Sequence, residues 1–218
     1  MIKTPIKSSA LSIISLVLFS LCILASPFLA HAEAPSFSYI EVEYVASGDL
    51  DISNDTISAS ADLDGFAVTG SVELGIFIVQ ASRFELDGDG PLNSTLEDSI
   101  STLALGLSFE LGNTQLYGLA RVRQDELTAS NSLLGSLEED AISGGAEVGI
   151  RWNLTDRFEL NANIGTPALD QGTSIGAGAQ FFITKNIGIT AEYNSIEVEE
   201  DDIEAEIDTV SVGLRYSF

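Results

Sequence analysis

From residue 37 onward the chain alternates. In "TLALGLSFEL" (Thr102–Leu111), Leu103, Leu105, Leu107, Phe109 and Leu111 are separated one by one by Ala104, Gly106, Ser108 and Glu110. Successive side chains of a strand point to opposite faces, so this stretch reads as a strand with one apolar face and one small or polar face. The pattern recurs. Ala146, Val148, Ile150 and Trp152 oppose Glu147, Gly149, Arg151 and Asn153, and Ile187, Ile189, Ala191 and Tyr193 oppose Gly188, Thr190, Glu192 and Asn194. It even runs to the last residue, where Val212, Leu214, Tyr216 and Phe218 alternate with Ser211, Gly213, Arg215 and Ser217. These segments never build a continuous apolar stretch of the ~20 residues a membrane helix needs. Such a chain enters a bilayer as strands or not at all.

The connections narrow the choice. "ELG" (Glu73–Gly75), "LGN" (Leu111–Asn113), "LTD" (Leu154–Asp156) and "TKN" (Thr184–Asn186) read as tight turns. Between them lie longer stretches rich in Asp, Glu, Ser and Gly: Ser47–Ala61, Glu85–Asp98, Gln124–Asp140, Thr166–Gly172 and Val198–Glu204. Short and long connections alternate strictly, as in a membrane barrel with short turns at one end and longer loops at the other. The strands expected are 37–46, 62–73, 76–84, 99–111, 115–123, 142–154, 158–165, 174–183, 187–195 and 207–218. The fold class is therefore all-β, a transmembrane antiparallel up-and-down β-barrel of ten strands, with eight as the alternative count. An even number puts both termini at the short-turn end.

A soluble β fold also alternates, with its apolar face inward. Two features favour the inverted arrangement. The polar faces carry Gly, Ser, Thr and Asn with isolated Glu and Arg, which suits a crowded lumen. Aromatic residues also gather beside the short turns: Phe77, Phe109, Trp152, Phe158, Phe181 and Phe218, like an interfacial girdle. An arginine facing mid-bilayer lipid costs ~2–4 kcal/mol, so Arg121, Arg123, Arg151 and Arg215 are assigned inward. This assignment carries Tyr117 and Leu119 into the lumen with Arg121 and Arg123. Glu41, Glu43, Glu110, Glu147, Glu159 and Glu192 are the expected partners of these arginines in a lumenal charge network that plugs the barrel.

Ahead of this region, Lys3 and Lys7 precede the apolar run Ala10–Ala25, and Ala30-His31-Ala32 is an A-x-A cleavage site. Residues 1–32 read as a cleaved secretory signal peptide and 33–218 as a single barrel domain. Leu21 before Cys22 disfavours lipid attachment there. Cleavage would remove the only Cys, His and Met (Cys22, His31 and Met1) and two of the nine Lys and Arg. Seven bases would remain against 33 acids, a formal charge of −26. That excess argues against nucleic-acid binding and against electrostatic attachment to an anionic surface.

With "AEVGIRWNLTDRFELNANI" (Ala146–Ile164) and "AGAQFFITKNIGITAEY" (Ala177–Tyr193) as its most characteristic passages, the chain over 37–218 resembles the small outer-membrane β-barrel proteins of Gram-negative bacteria, the OmpA-like or porin-like barrels. The resemblance implies a location in the outer membrane and contact with its lipid and lipopolysaccharide; because the sequence stops at Phe218, the periplasmic domain of full OmpA-type proteins is not expected after the barrel. Val212, Leu214, Tyr216 and Phe218 look like the C-terminal signal read by the barrel assembly machinery.

Chemistry is sparse. Histidine is the usual neutral-pH general base, and cleavage leaves none, so the expectation is a protein that is not an enzyme. "DLDISND" (Asp49–Asp55) and "ELDGDG" (Glu85–Gly90) lack the Gly and Glu spacing of a calcium loop, and "GAGA" (Gly176–Ala179) is no nucleotide motif. "EVEEDDIEAEID" (Glu197–Asp208) holds eight acids and reads as a solvated loop open to weak association with divalent cations. No cofactor is expected. The function expected is a structural or surface-interaction role with a filled lumen, and the alternative is a narrow cation-selective channel.

Overall fold

The computed structural model describes residues 35–54, 58–90, 94–131, 135–167, 172–200 and 203–218. The signal peptide expected at 1–32 lies outside the described residues. Ten strands follow in order: β1 (Tyr39–Asn54), β2 (Ser58–Leu74), β3 (Phe77–Gly90), β4 (Ser94–Leu111), β5 (Thr114–Asn131), β6 (Gly135–Thr155), β7 (Phe158–Thr166), β8 (Thr173–Phe182), β9 (Ile187–Glu200) and β10 (Ile203–Ser217). Each pairs antiparallel with its sequence neighbours, and β1 pairs with β10, closing the barrel. Closure leaves no open ladder edge, the condition for backbone to sit in hydrocarbon.

The four short turns fall where the sequence puts them. Gly75 and Gly112 adopt φ of 68° and 69°, the left-handed region that a side chain disfavours and a two-residue hairpin requires. At the seam Tyr39 lies opposite Ser217, Glu41 opposite Arg215 and Tyr44 opposite Val212. The amide of Phe218 donates to the Ser38 carbonyl at 3.0 Å, so the terminal aromatic residue is held against the start of β1.

The outward phase is apolar over a band next to the short turns. Leu103 to Leu111 on β4, Val210 to Tyr216 on β10 and Val42 with Tyr44 on β1 supply exposed members of it. Nine residues of tilted strand rise roughly 23 Å, close to the ~25 Å apolar band of an outer-membrane barrel. Phe77, Phe109, Trp152, Phe181 and Tyr216 are exposed at its lower edge. Tyr44, Phe66 and Tyr193 are exposed at its upper edge, a second girdle beyond the single one expected beside the short turns. Phe158 and Phe218 are half-buried.

The long-loop expectation needs correction. Four of the five stretches assigned to loops are mostly strand: β1 runs on to Asn54, β3 to Gly90, β5 to Asn131 and β9 to Glu200. The fifth, Thr166–Gly172, starts at the last residue of β7 and otherwise lies largely outside the described residues. Acid-rich composition disfavours strands inside a soluble core. Above a bilayer, however, an acidic outward face is solvated while the ladder stays intact. The barrel therefore rises well above its apolar band everywhere except at β7 and β8, which are 9 and 10 residues long.

Candidate functional site

The inward phase of the membrane-level wall is ionic, and three arginines organise it. Arg151, from β6, donates to Glu159 on β7 through two nitrogens at 2.6 and 3.1 Å, and to the Ser36 carbonyl at 2.8 Å. Arg215, from β10, donates to Glu41 on β1 at 2.9 and 2.5 Å and to the Gln180 side-chain carbonyl at 3.1 Å. It also reaches Glu192 at 3.4 Å. Thr190 donates to the other Glu41 oxygen at 2.6 Å. Arg121, from β5, pairs with Glu147 at 2.8 Å, and the Tyr117 hydroxyl donates to that same carboxylate at 3.0 Å.

Aromatic rings stack on two of these arginines. Arg215 lies over the Tyr39 ring at 4.2 Å, and Arg151 lies over Phe37 at 4.8 Å. Phe37 meets Tyr117 edge-on with centroids 4.9 Å apart. Stacked guanidinium groups keep their in-plane donors free for carboxylates, which is why arginine and not lysine suits these positions. The Tyr117 ring lies where a Cβ on Gly149 would stand, 2.4 Å from its nearest atom. Glycine there makes room for the ring. Arg151, Glu159, Arg215 and Glu41 are each 5 % exposed or less.

Of the ten residues assigned to the charge network, seven come together here: Arg121 with Glu147, Arg151 with Glu159, and Arg215 with Glu41 and Glu192. Glu43 is inward and buried, its carboxylate within 4.8 Å of those of Glu41 and Glu192; it accepts from the Ser211 hydroxyl at 2.8 Å and pairs with no base among the described residues. Arg123 is inward but pairs along its own strand with Asp125 at 2.5 Å. Glu110 is corrected. It keeps the inward phase but sits beside the Gly112 turn, exposed and paired with no base among the described residues, because the barrel mouth is open to water there.

Sequence reasoning missed Glu73, which it counted as turn. Its carboxylate accepts from Ser108, from Gln115 at 3.0 Å and from the Phe37 amide at 3.1 Å, and so fixes the N-terminal segment in the mouth. The clue was phase, since Glu73 continues Thr69 and Ser71.

Two cavities flank the carboxylates. One of about 170 Å³ lies among the arginines and is lined by Tyr39, Tyr117, Arg151 and Arg215. Another of about 250 Å³ lies above it, with Phe84, Leu86, Ile100 and Ile207 in its wall. Glu43, Glu147 and Glu192 line both, so they form a waist between the two. Sharing that wall, Val45, Leu63 and Leu86 are buried together, with Leu50, Phe84, Leu96 and Ile207 packed on them.

No family model matches the chain, and no curated protein matches it. Among solved structures it is similar to the outer-membrane protease OmpT of Escherichia coli, at 11 % identity over 83 % of this chain and 96 % of that one, with a TM-score of 0.56. It also aligns with neisserial surface protein A, at 11 % identity over 83 % and 96 % of the two chains (TM-score 0.45). Ail of Yersinia pestis aligns at 15 % identity over 82 % and 98 % (TM-score 0.39). At such identities the likeness to OmpT carries the fold alone: a closed transmembrane barrel of the outer-membrane type.

Proposed function

We propose that the protein is an outer-membrane barrel that neither conducts freely nor catalyses, and that acts through its tall acidic rim as a structural and surface-contact element. The observation that carries this reading is the seal. Arg151–Glu159 and Arg215–Glu41, with Phe37 and Tyr39 stacked on the guanidinium groups, crowd the lumen at membrane level and leave only a cavity of about 170 Å³ among them. Such a barrel is exported through the 1–32 segment and inserted with Val212, Leu214, Tyr216 and Phe218 as its assembly signal. Lipid and lipopolysaccharide surround its apolar band. Outward acids just above that band, such as Asp64 and Asp208, would meet lipopolysaccharide phosphates through weakly held divalent cations. OmpT is a protease, but the only histidine in this chain is His31, and Glu41, Glu147 and Glu159 are each engaged in an ion pair.

A second reading has one observation in its favour. The waist of Glu43, Glu147 and Glu192 joins the two cavities, so any path through the lumen would prefer cations. Planar-bilayer recording separates the two. Silence in the wild type, with steps appearing in Arg151→Ala, supports the sealed barrel. Discrete cation-selective steps in the wild type overturn it in favour of the channel.

A further inference from the structure

The upper cavity has two unlike sides. Phe84, Leu86, Ile100 and Ile207 give it an apolar wall, and Glu43 and Glu192 stand at its floor. Apolar residues facing a water-filled lumen are unfavourable unless something covers them. A cavity of 150 Å³ lined by apolar residues is known to hold benzene, so about 250 Å³ accommodates one ring or a short alkyl chain with a small head group.

The charges specify the head group. Arg121 and Arg123 also line the cavity, but each is held by a carboxylate, Glu147 at 2.8 Å and Asp125 at 2.5 Å. Glu43 is 8 % exposed. One of its oxygens accepts from Ser211, and the other has no partner among the described residues although its side chain lines the cavity. Glu192 shares Arg215 with Glu41, and at the longer distance of 3.4 Å. The cavity is thus short of positive charge, not of negative. A buried carboxylate without a counter-charge is costly, and an ammonium group relieves that cost.

We propose that this cavity binds small amphipathic organic cations, with the ammonium on Glu43 and Glu192 and the hydrocarbon part against Phe84, Ile100 and Ile207. Because the cavity lies above the seal, binding needs no conduction, and the inference stands or falls independently of the function proposed above. A bare metal ion satisfies the floor but gains nothing from the wall. Arg215 already bonds two of the three converging carboxylates, Glu41, Glu43 and Glu192.

The test is calorimetric titration of the detergent-folded protein with phenethylammonium, 2-phenylethanol and phenylacetate, corrected against matched micelles. The ammonium is expected to bind at least tenfold tighter than either analogue, and Glu43→Gln to remove that preference. Equal binding of all three probes, no binding, or an ammonium affinity unchanged in Glu43→Gln overturns the proposal. If Glu43→Gln does not give heat-modifiable folded protein, Ile100→Trp decides: it fills the cavity without altering a charge. Loss of ammonium binding there supports the site, and unchanged binding sinks it.

Discussion

The barrel has two zones that use the same alternation with opposite sign. At membrane level the outside is Leu103, Leu105, Val212 and Leu214, while the inside is Arg151, Glu159, Arg215 and Glu41. Above that band the outside turns to Asp64, Glu85, Glu126 and Asp208, while Leu50, Leu63, Leu86, Leu96 and Ile207 fill the inside. Apart from a β-bulge in β1 between Val45 and Gly48, the ladders run through the boundary, and what changes is the solvent outside them. Hydrocarbon demands an apolar exterior, so the lower lumen takes the polar residues and must satisfy them internally. Water accepts acids, so the upper lumen can hold a hydrophobic cluster along one wall. The protein is a membrane barrel carrying a water-exposed barrel on the same staves.

Mutations should therefore cost energy through different mechanisms in the two zones. The largest effect expected is from Arg215→Met in the lower zone. It strands the Glu41 carboxylate, whose pair with Arg215 is almost wholly buried, and removing one partner of such a pair costs about 3–5 kcal/mol. Urea titration in detergent reads this, and Arg215→Met with Glu41→Leu should recover much of the loss. A double variant no better than the single would show that the pair is not what matters. In the upper zone Leu86→Ala, at a site 4 % exposed, should cost about 2–5 kcal/mol as a cavity defect, with no rescue by a charge change. Next comes the exterior. Leu105→Arg, at a position 58 % exposed in the apolar band, should cost about 2–4 kcal/mol. Asp64→Leu, outward but above the band, should stay within about 0.5 kcal/mol. Similar costs at the two exterior positions would erase the boundary drawn between the zones.

This division also explains what the sequence could and could not tell. Strand number, all four short turns and the inward phase of Arg121, Arg151 and Arg215 were legible because alternation assigns a face to every residue. Even Tyr117 and Leu119, which sit oddly in an inward phase, are lumenal and pack beneath Phe37. Alternation does not say where a strand stops. Leu50, Leu63, Leu86 and Leu96 stand singly among acids, and composition alone made their surroundings look like loops. Nor does it name partners. Arg123 turns to Asp125 two residues away instead of across the lumen, Glu43 finds a hydroxyl, and Glu110 falls at an open mouth. Those outcomes depend on strand tilt and register, which place residues distant in sequence at one height.

A pH-dependent effect is expected from an acid on the wrong side of the upper zone. Asp98, on β4 above Leu103, the last apolar outward residue of that strand, faces inward beside Arg123 and Asp125. Its Oδ1 is buried without a partner among the described residues. Burial first, and then the Asp125 charge, push its carboxyl up to about 6 from an ordinary 3.8, against the pull of Arg123 and the Ser99 backbone. A raised carboxyl means that the folded protein holds a proton the unfolded chain has released between those two values. Stability from this group is therefore full below about pH 4, declines as pH rises to about 6, and is level beyond. Asp98→Asn keeps the shape and removes the titration, so the variant's unfolding midpoint should drift less than the wild type's between pH 4 and 6, and the two should run parallel above pH 6. Curves parallel through the whole window would mean that water reaches Asp98, and that the hydrophobic interior of the upper zone ends below it.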